Sequence, residues 1–242
     1  MIKTMKKLLP LALGLVLLQA CGGVQTARYE DDLALPRSEE SADSLLFSVD
    51  LEYAVKGVPP EALEQMNGTI LTQAFDLEDV PGTVEETAVR YRENLIDEYL
   101  NEAGGFTWED HITGAFSQKY KTWQNYFLTY YSYQGGAHGI QTASQIVFDT
   151  KTGAVLTEED FFAEGYEEPV SELLRKTVQA SLSAEAPELV ELIQLEAVAP
   201  NGNFSVDRDG MEWLFQPYEV GPYALGIVSV TLSWDQLKPY LK

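Results

Sequence analysis

Cys21 is the only cysteine in the 242 residues, and its position decides how everything after it must be stabilised. Met1 to Lys7 carry Lys3, Lys6 and Lys7 with no acid, and Leu8 to Leu18 form an apolar run of eleven residues, too short to span a bilayer. The run ends in Leu18-Gln19-Ala20-Cys21, with an aliphatic residue three before the cysteine and a small one directly before it. That is a lipoprotein signal, residues 1–20, which leaves Cys21 as the lipid-bearing first residue of the mature chain. With the thiol consumed, no disulfide or thiolate metal site can form, so an apolar core must supply the stability. A diacylglycerol thioether plus an N-acyl chain exceeds the two signals that stable anchoring needs. The expected location is the bacterial envelope: lipid-anchored, at the outer membrane, facing the periplasm or the cell surface.

Sixteen basic residues stand against 38 acidic ones, a net charge of −22, and without the three lysines of the leader it becomes −25. Nucleic acid and anionic lipid surfaces would be repelled by the net charge of such a chain, whereas a basic partner would be steered towards it.

Gly22 to Ser44 is rich in Gly, Ser and acids, so residues 21–44 read as a disordered acidic tether holding the domain roughly 25 Å from the membrane. From Leu45, alternation of Leu45, Phe47, Val49 and Leu51 with polar residues marks a half-buried strand. A helix is expected from Pro60 to Phe75. A second follows a Thr83/Glu86 capping box, with Val84, Ala88, Tyr91, Leu95 and Leu100 on one face. Ile112 to Lys121, Trp123 to Tyr133 and Gln141 to Asp149 form an antiparallel meander. A short helix starts at Glu158, Pro169 opens another, and Pro187 to Gln194 extends as one more. Asp209-Gly210 turns a hairpin between Asn203 to Val206 and Met211 to Gln216; oxygens at alternate positions there fall short of a calcium loop. A strand from Gly226 to Leu232 and a helix capped by Ser233 and Gln236 close the chain. The order of elements predicts an α+β fold with helices packed on an antiparallel sheet.

Chemistry is sparse. His111 and His138 are the only histidines, and the chain has no G-x-S-x-G, H-E-x-x-H, Walker or G-x-G-x-x-G motif. No cofactor or metal site is expected. Gly135, Gly136 and Gly139 surround His138 in a loop that can turn tightly and approach a ligand closely. The plainer role for His138 is to bond a backbone carbonyl and hold that turn. Tyr130, Tyr131 and Tyr133 make the preceding strand aromatic on both faces, and Tyr218 and Tyr223 add two rings on a Gly-Pro bend. Such rings either fill the core or present an aromatic platform.

The runs YYSYQGGAHG, IVFDTKTGAVLTEEDFF, NFSVDRDGMEWLFQPYEVGPYALG and SWDQLKPYL together resemble the RsiV-like family of envelope domains. That family includes the lysozyme-sensing part of RsiV-type anti-sigma factors and an accessory domain of PdaC-type peptidoglycan deacetylases. The resemblance implies two intimately associated α/β halves, here 45–148 and 149–242, with no catalytic residue set to carry over. It implies binding of a cell-wall-related ligand.

The leading expectation is therefore a non-enzymatic binding domain for a lysozyme-like basic protein or a peptidoglycan fragment. Its candidate contacts are Tyr130, Tyr131, Tyr133, Gly135, Gly136, His138, Tyr218 and Tyr223. Two alternatives stand beside it: a peptidoglycan-modifying enzyme using His138 with Asp149 as a general base, and an assembly lipoprotein that meets another envelope protein through an apolar patch.

Overall fold

The computed structural model describes residues 23–78, 82–102 and 105–242; the leader 1–20 and Cys21 lie outside them. Two sheets organise the chain. The first contains β1 (Gln25–Pro36), β2 (Ser44–Lys56), β3 (Trp108–Tyr120), β4 (Trp123–Tyr133) and β5 (Ile140–Asp149), in that spatial order. The second contains β6 (Phe204–Val206), β7 (Gly210–Phe215) and β8 (Val228–Ser233). Helices α1 (Pro60–Ala74) and α2 (Val84–Asn101) precede β3; α3 (Glu158–Phe161) and α4 (Glu167–Glu185) precede β6; α5 (Trp234–Leu237) follows β8. The architecture is α+β.

The expected tether is corrected here. Residues 25–36 are an edge strand, antiparallel to the whole of β2 with Tyr29 opposite Leu51 and Leu33 opposite Phe47. Tyr29, Leu33 and Leu35 lean on the first core, while Glu30, Asp32 and Ala34 face water. A two-residue alternation thus underlies the acids, because an edge strand needs only one apolar stripe. Asp31, on the inward stripe, is paired with Arg92 of α2.

The meander β3-β4-β5 is antiparallel, as its alternation predicts, but β2 and β3 pair in parallel, with Leu45 opposite Trp108 and Leu51 opposite Gly114. Parallel neighbours need a crossover, and α1 and α2 provide it. The capping box of α2 is present: Thr83 Oγ1 accepts from Glu86 N, and the Glu86 carboxylate accepts from Thr83 N. Its buried face carries Val84, Ala88, Leu95 and Tyr99, whereas Leu100 is exposed. In place of a helix over 187–194 there is only a 3-10 turn, Pro187–Leu189.

Two apolar cores result. Phe47, Leu51, Met66, Phe75, Tyr99 and Tyr126 centre the first, between the large sheet and α1 and α2. Trp213, Phe204, Phe215, Phe162, Leu174 and Val178 centre the second, between the small sheet, α3 and α4. β5 serves both: Ile146 and Phe148 enter the first core and Val147 the second.

Carboxamides join the halves. Asn125, on β4 and 3% exposed, donates to Val206 O (2.6 Å) and Gln118 O (2.7 Å) and accepts from Val206 N (3.0 Å). Asn203 accepts from Gln145 N (2.7 Å) and donates to Ala143 O (2.9 Å). Gln216 accepts from Ala143 N (3.0 Å) and also donates to Ala143 O. Each amide offers a donor and an acceptor side by side, as a strand residue does, and so completes the ladder of a strand that has no further neighbour.

Candidate functional site

The β4–β5 connection lies at one end of the large sheet. Gly135 and Gly136 have φ of +93° and +102°, where a side chain would be strained. Gly139 is needed for a different reason: a β-carbon there would sit 2.5 Å from the Tyr131 hydroxyl and 2.6 Å from its ring. The loop thus lies flat on Tyr131.

His138 holds the loop and also presents a ring. Its Nδ1 lies 2.9 Å from Gly139 O, so Nδ1 carries the proton and donates. Nε2 faces the Tyr218 hydroxyl at 3.3 Å. The Tyr223 hydroxyl donates to the same Gly139 carbonyl (2.9 Å), and the Tyr223 ring stacks on His138 with centroids 4.0 Å apart at 20°. Tyr218 tilts against Tyr223 at 5.6 Å. On the other side, Tyr131 stacks with His111 (6.0 Å, 14°), whose Nδ1 meets Ser48 Oγ at 2.8 Å and whose Nε2 lies 3.8 Å from the Glu109 carboxylate.

Two features distinguish this cluster from core packing. Tyr218 is 59% exposed and has φ +72°, a conformation that costs a bulky residue on the order of 1 kcal/mol. Phe106 and Ile140, each 50% exposed, flank the same loop, Phe106 packing against Gly135. Exposed apolar and aromatic side chains thus gather around this loop.

The predicted contacts do not all meet. His138, Tyr131, Tyr218 and Tyr223 do, and Tyr133 closes on the loop by donating to Gly136 O at 3.1 Å. Tyr130 faces the other way, because neighbours on a strand point to opposite faces. Its hydroxyl donates to Asp110 Oδ2 at 2.7 Å, on the helix side of the sheet. The dyad of His138 with Asp149 is excluded. Asp149 ends β5 opposite Trp123, while His138 precedes its start, roughly 30 Å away at the rise of a strand.

Asp110 went unnoticed in the sequence reading. It occupies an inward position of β3 between Trp108 and Ile112, is 1% exposed, and accepts from Tyr130 and from Tyr91 (3.3 Å). Burial raises its pKa, and the two phenols oppose that rise. Tyr91 and Tyr130, themselves raised by burial, line a cavity of about 440 Å³ with Phe75, Leu128 and Ser144. A carboxyl raised in the folded state favours folding below its unfolded pKa and turns adverse as pH rises through the folded value. The stability advantage of Asp110→Asn over wild type should accordingly grow from about pH 4 upward and level off once the carboxyl is ionised, as read by urea unfolding at a series of pH values. A difference that is flat with pH would show that Asp110 does not titrate in this way.

Among the described residues no group of three or more His, Cys, Asp or Glu is placed to hold a metal, and no helix is long and apolar enough to cross a membrane.

Residues 159–235, which run from α3 into α5, match the model of a family described as protein of unknown function DUF3298. No curated protein matches the sequence. The fold is similar to the crystal structure of a DUF3298 family member from Bacteroides fragilis NCTC 9343, with TM-score 0.79 and 20% identity over 93% of this chain and 96% of that one. A DUF3298 family protein from Pseudomonas aeruginosa PAO1 is similar at TM-score 0.69 and 15% identity, over 90% and 94% of the two chains. At these identities the likeness speaks for the fold.

Proposed function

We propose that this is a non-enzymatic binding domain, lipid-anchored through Cys21 in the bacterial envelope, whose aromatic surface around His138 docks a basic protein of the lysozyme type. The observation that carries the reading is Tyr218: a large ring held 59% exposed, on backbone at φ +72°, hydrogen-bonded to His138 and packed against Tyr223. Strain retained at an exposed aromatic residue is characteristic of recognition surfaces. Tyrosines suit this role because they bring area and a hydroxyl at little entropic cost. The charge of the chain supports the choice of partner, since a strongly acidic protein accelerates encounter with a basic one. The resemblance to RsiV-like domains points the same way.

Calorimetry of the mature chain with a c-type lysozyme tests the proposal. Binding should be saturable and should survive physiological salt, and the combined variant His138→Ala, Tyr218→Ala, Tyr223→Ala should weaken it at least about 30-fold, the loss of a hot spot of about 2 kcal/mol. Binding that disappears with salt would be charge attraction alone. Wild-type affinity in the triple variant would put the contact elsewhere.

A further inference from the structure

The end of the large sheet opposite His138 has a charge of its own. β1 starts there, since Gln25 pairs with Lys56 at the close of β2. β3 and β4 turn there through Lys121 and Thr122, and β5 ends there, with Asp149 opposite Trp123. Four of the seven lysines beyond the leader, Lys56, Lys119, Lys121 and Lys151, thus converge on one end of a chain whose net charge is strongly negative. All four are exposed. Among the described residues, Lys56, Lys121 and Lys151 enter no ion pair. Acids on the neighbouring elements are Asp149, which accepts from Lys151 N, Glu61 in the first turn of α1, Asp235 next to Trp234, and Asp207 and Asp209, whose carbonyls accept from Trp234.

Lys121 is the odd residue. It sits at the hairpin tip with φ +56°, where Gly or Asn would adopt the conformation freely. Its ammonium lies 4.9 Å from the centroids of both Tyr120 and Trp123. Trp234 stacks on Tyr120 at 6.0 Å, so three half-buried aromatic rings frame the tip. Lysines among Trp and Tyr are what an anionic bilayer surface selects, the rings settling at headgroup depth and the ammonium groups meeting phosphates.

The chain leaves the fold at this same end. Gly23 packs against Gly57 and Lys119, and the two steps from Gly23 back to Cys21 span at most about 7 Å. We infer that this basic and aromatic end is a docking surface for anionic phospholipid headgroups, against which the domain rests beside its anchor. The inference rests on the reading of Cys21 as the lipidated residue, but its test does not.

Cys21 is the only thiol, so the mature chain can be coupled through it to a maleimide-bearing lipid in vesicles. Trp108 and Trp213 are buried, so quenching by brominated lipid reports on Trp123 and Trp234. Quenching is expected on vesicles containing phosphatidylglycerol and not on pure phosphatidylcholine. In the variant Lys56→Glu, Lys121→Glu, Lys151→Glu it should vanish, the docked population falling about a hundredfold for three lysines. If circular dichroism shows that variant misfolded, the three Lys→Gln changes are read in the same assay. Equal quenching on both vesicles, absence of quenching, or quenching unchanged in the variant would each overturn the inference. The lipid reading fails separately, if the mass of the amino-terminal peptide from cell membranes shows Cys21 unmodified.

Discussion

Asn125→Ala should uncouple the two halves of this protein and cost about 3 kcal/mol or more. The side chain is 3% exposed and makes three hydrogen bonds, two of them to the backbone of Val206. Alanine would leave that buried N–H and carbonyl unpaired, at about 1–3 kcal/mol each. Asn203 and Gln216 hold the neighbouring stretch of β5, so the halves would remain in contact but with a weakened seam. Native-state hydrogen exchange should then show β6 to β8 opening at lower free energy than the large sheet, where wild type opens them together. A single cooperative transition, shifted by less than about 1 kcal/mol, would mean that the seam is held by apolar contact through Val147 and Trp123 instead.

Trp213→Ala should be the most damaging single change in the carboxy-terminal half. The ring is fully buried, packs against Phe162 and Phe204, and donates from Nε1 to Glu158 Oε1 at 2.9 Å. Truncating a buried tryptophan costs about 3–5 kcal/mol. The change would also strip Glu158, 7% exposed, of one of its two donors and leave Gly202 N as the other (3.0 Å). A loss of this size is a large share of the stability of a domain this long. Urea unfolding measures it. Trp213→Phe separates its parts, since it keeps most of the apolar area and loses only the hydrogen bond; equal losses in the two variants would mean that the bond, not the packing, dominates.

What was legible in the sequence was local. Thr83 with Glu86 and Ser233 with Gln236 announce helix starts because a capping box is complete within four residues, and Asp209-Gly210 announces a hairpin for the same reason. The parallel pairing of β2 with β3 spans two intervening helices and leaves no local signature. β1 was missed because its inward stripe includes Asp31, whose partner Arg92 stands 61 residues away. In the candidate site the strand period already places Tyr130 and Tyr131 on opposite faces, so grouping them overlooked a rule visible in the sequence. Asp110 carried a signal too, an acid in phase with Trp108 and Ile112. The meeting of Tyr218 with His138, by contrast, depends on how the second half folds back onto the first, 80 residues on.

The carboxamides along β5 bear on how these molecules behave beside one another. A sheet of five strands has two open margins, and molecules at high local concentration would meet with those margins exposed. On β5 the N–H and carbonyl of Ala143 and the N–H of Gln145 are already taken by Asn203 and Gln216, and Leu156 takes the carbonyl of Val147. On β1 the outer residues Arg28, Glu30 and Asp32 crowd the rim with charge. One margin is partly capped by amide side chains and the other guarded by charge, so edge-to-edge pairing between neighbouring molecules is disfavoured on both sides.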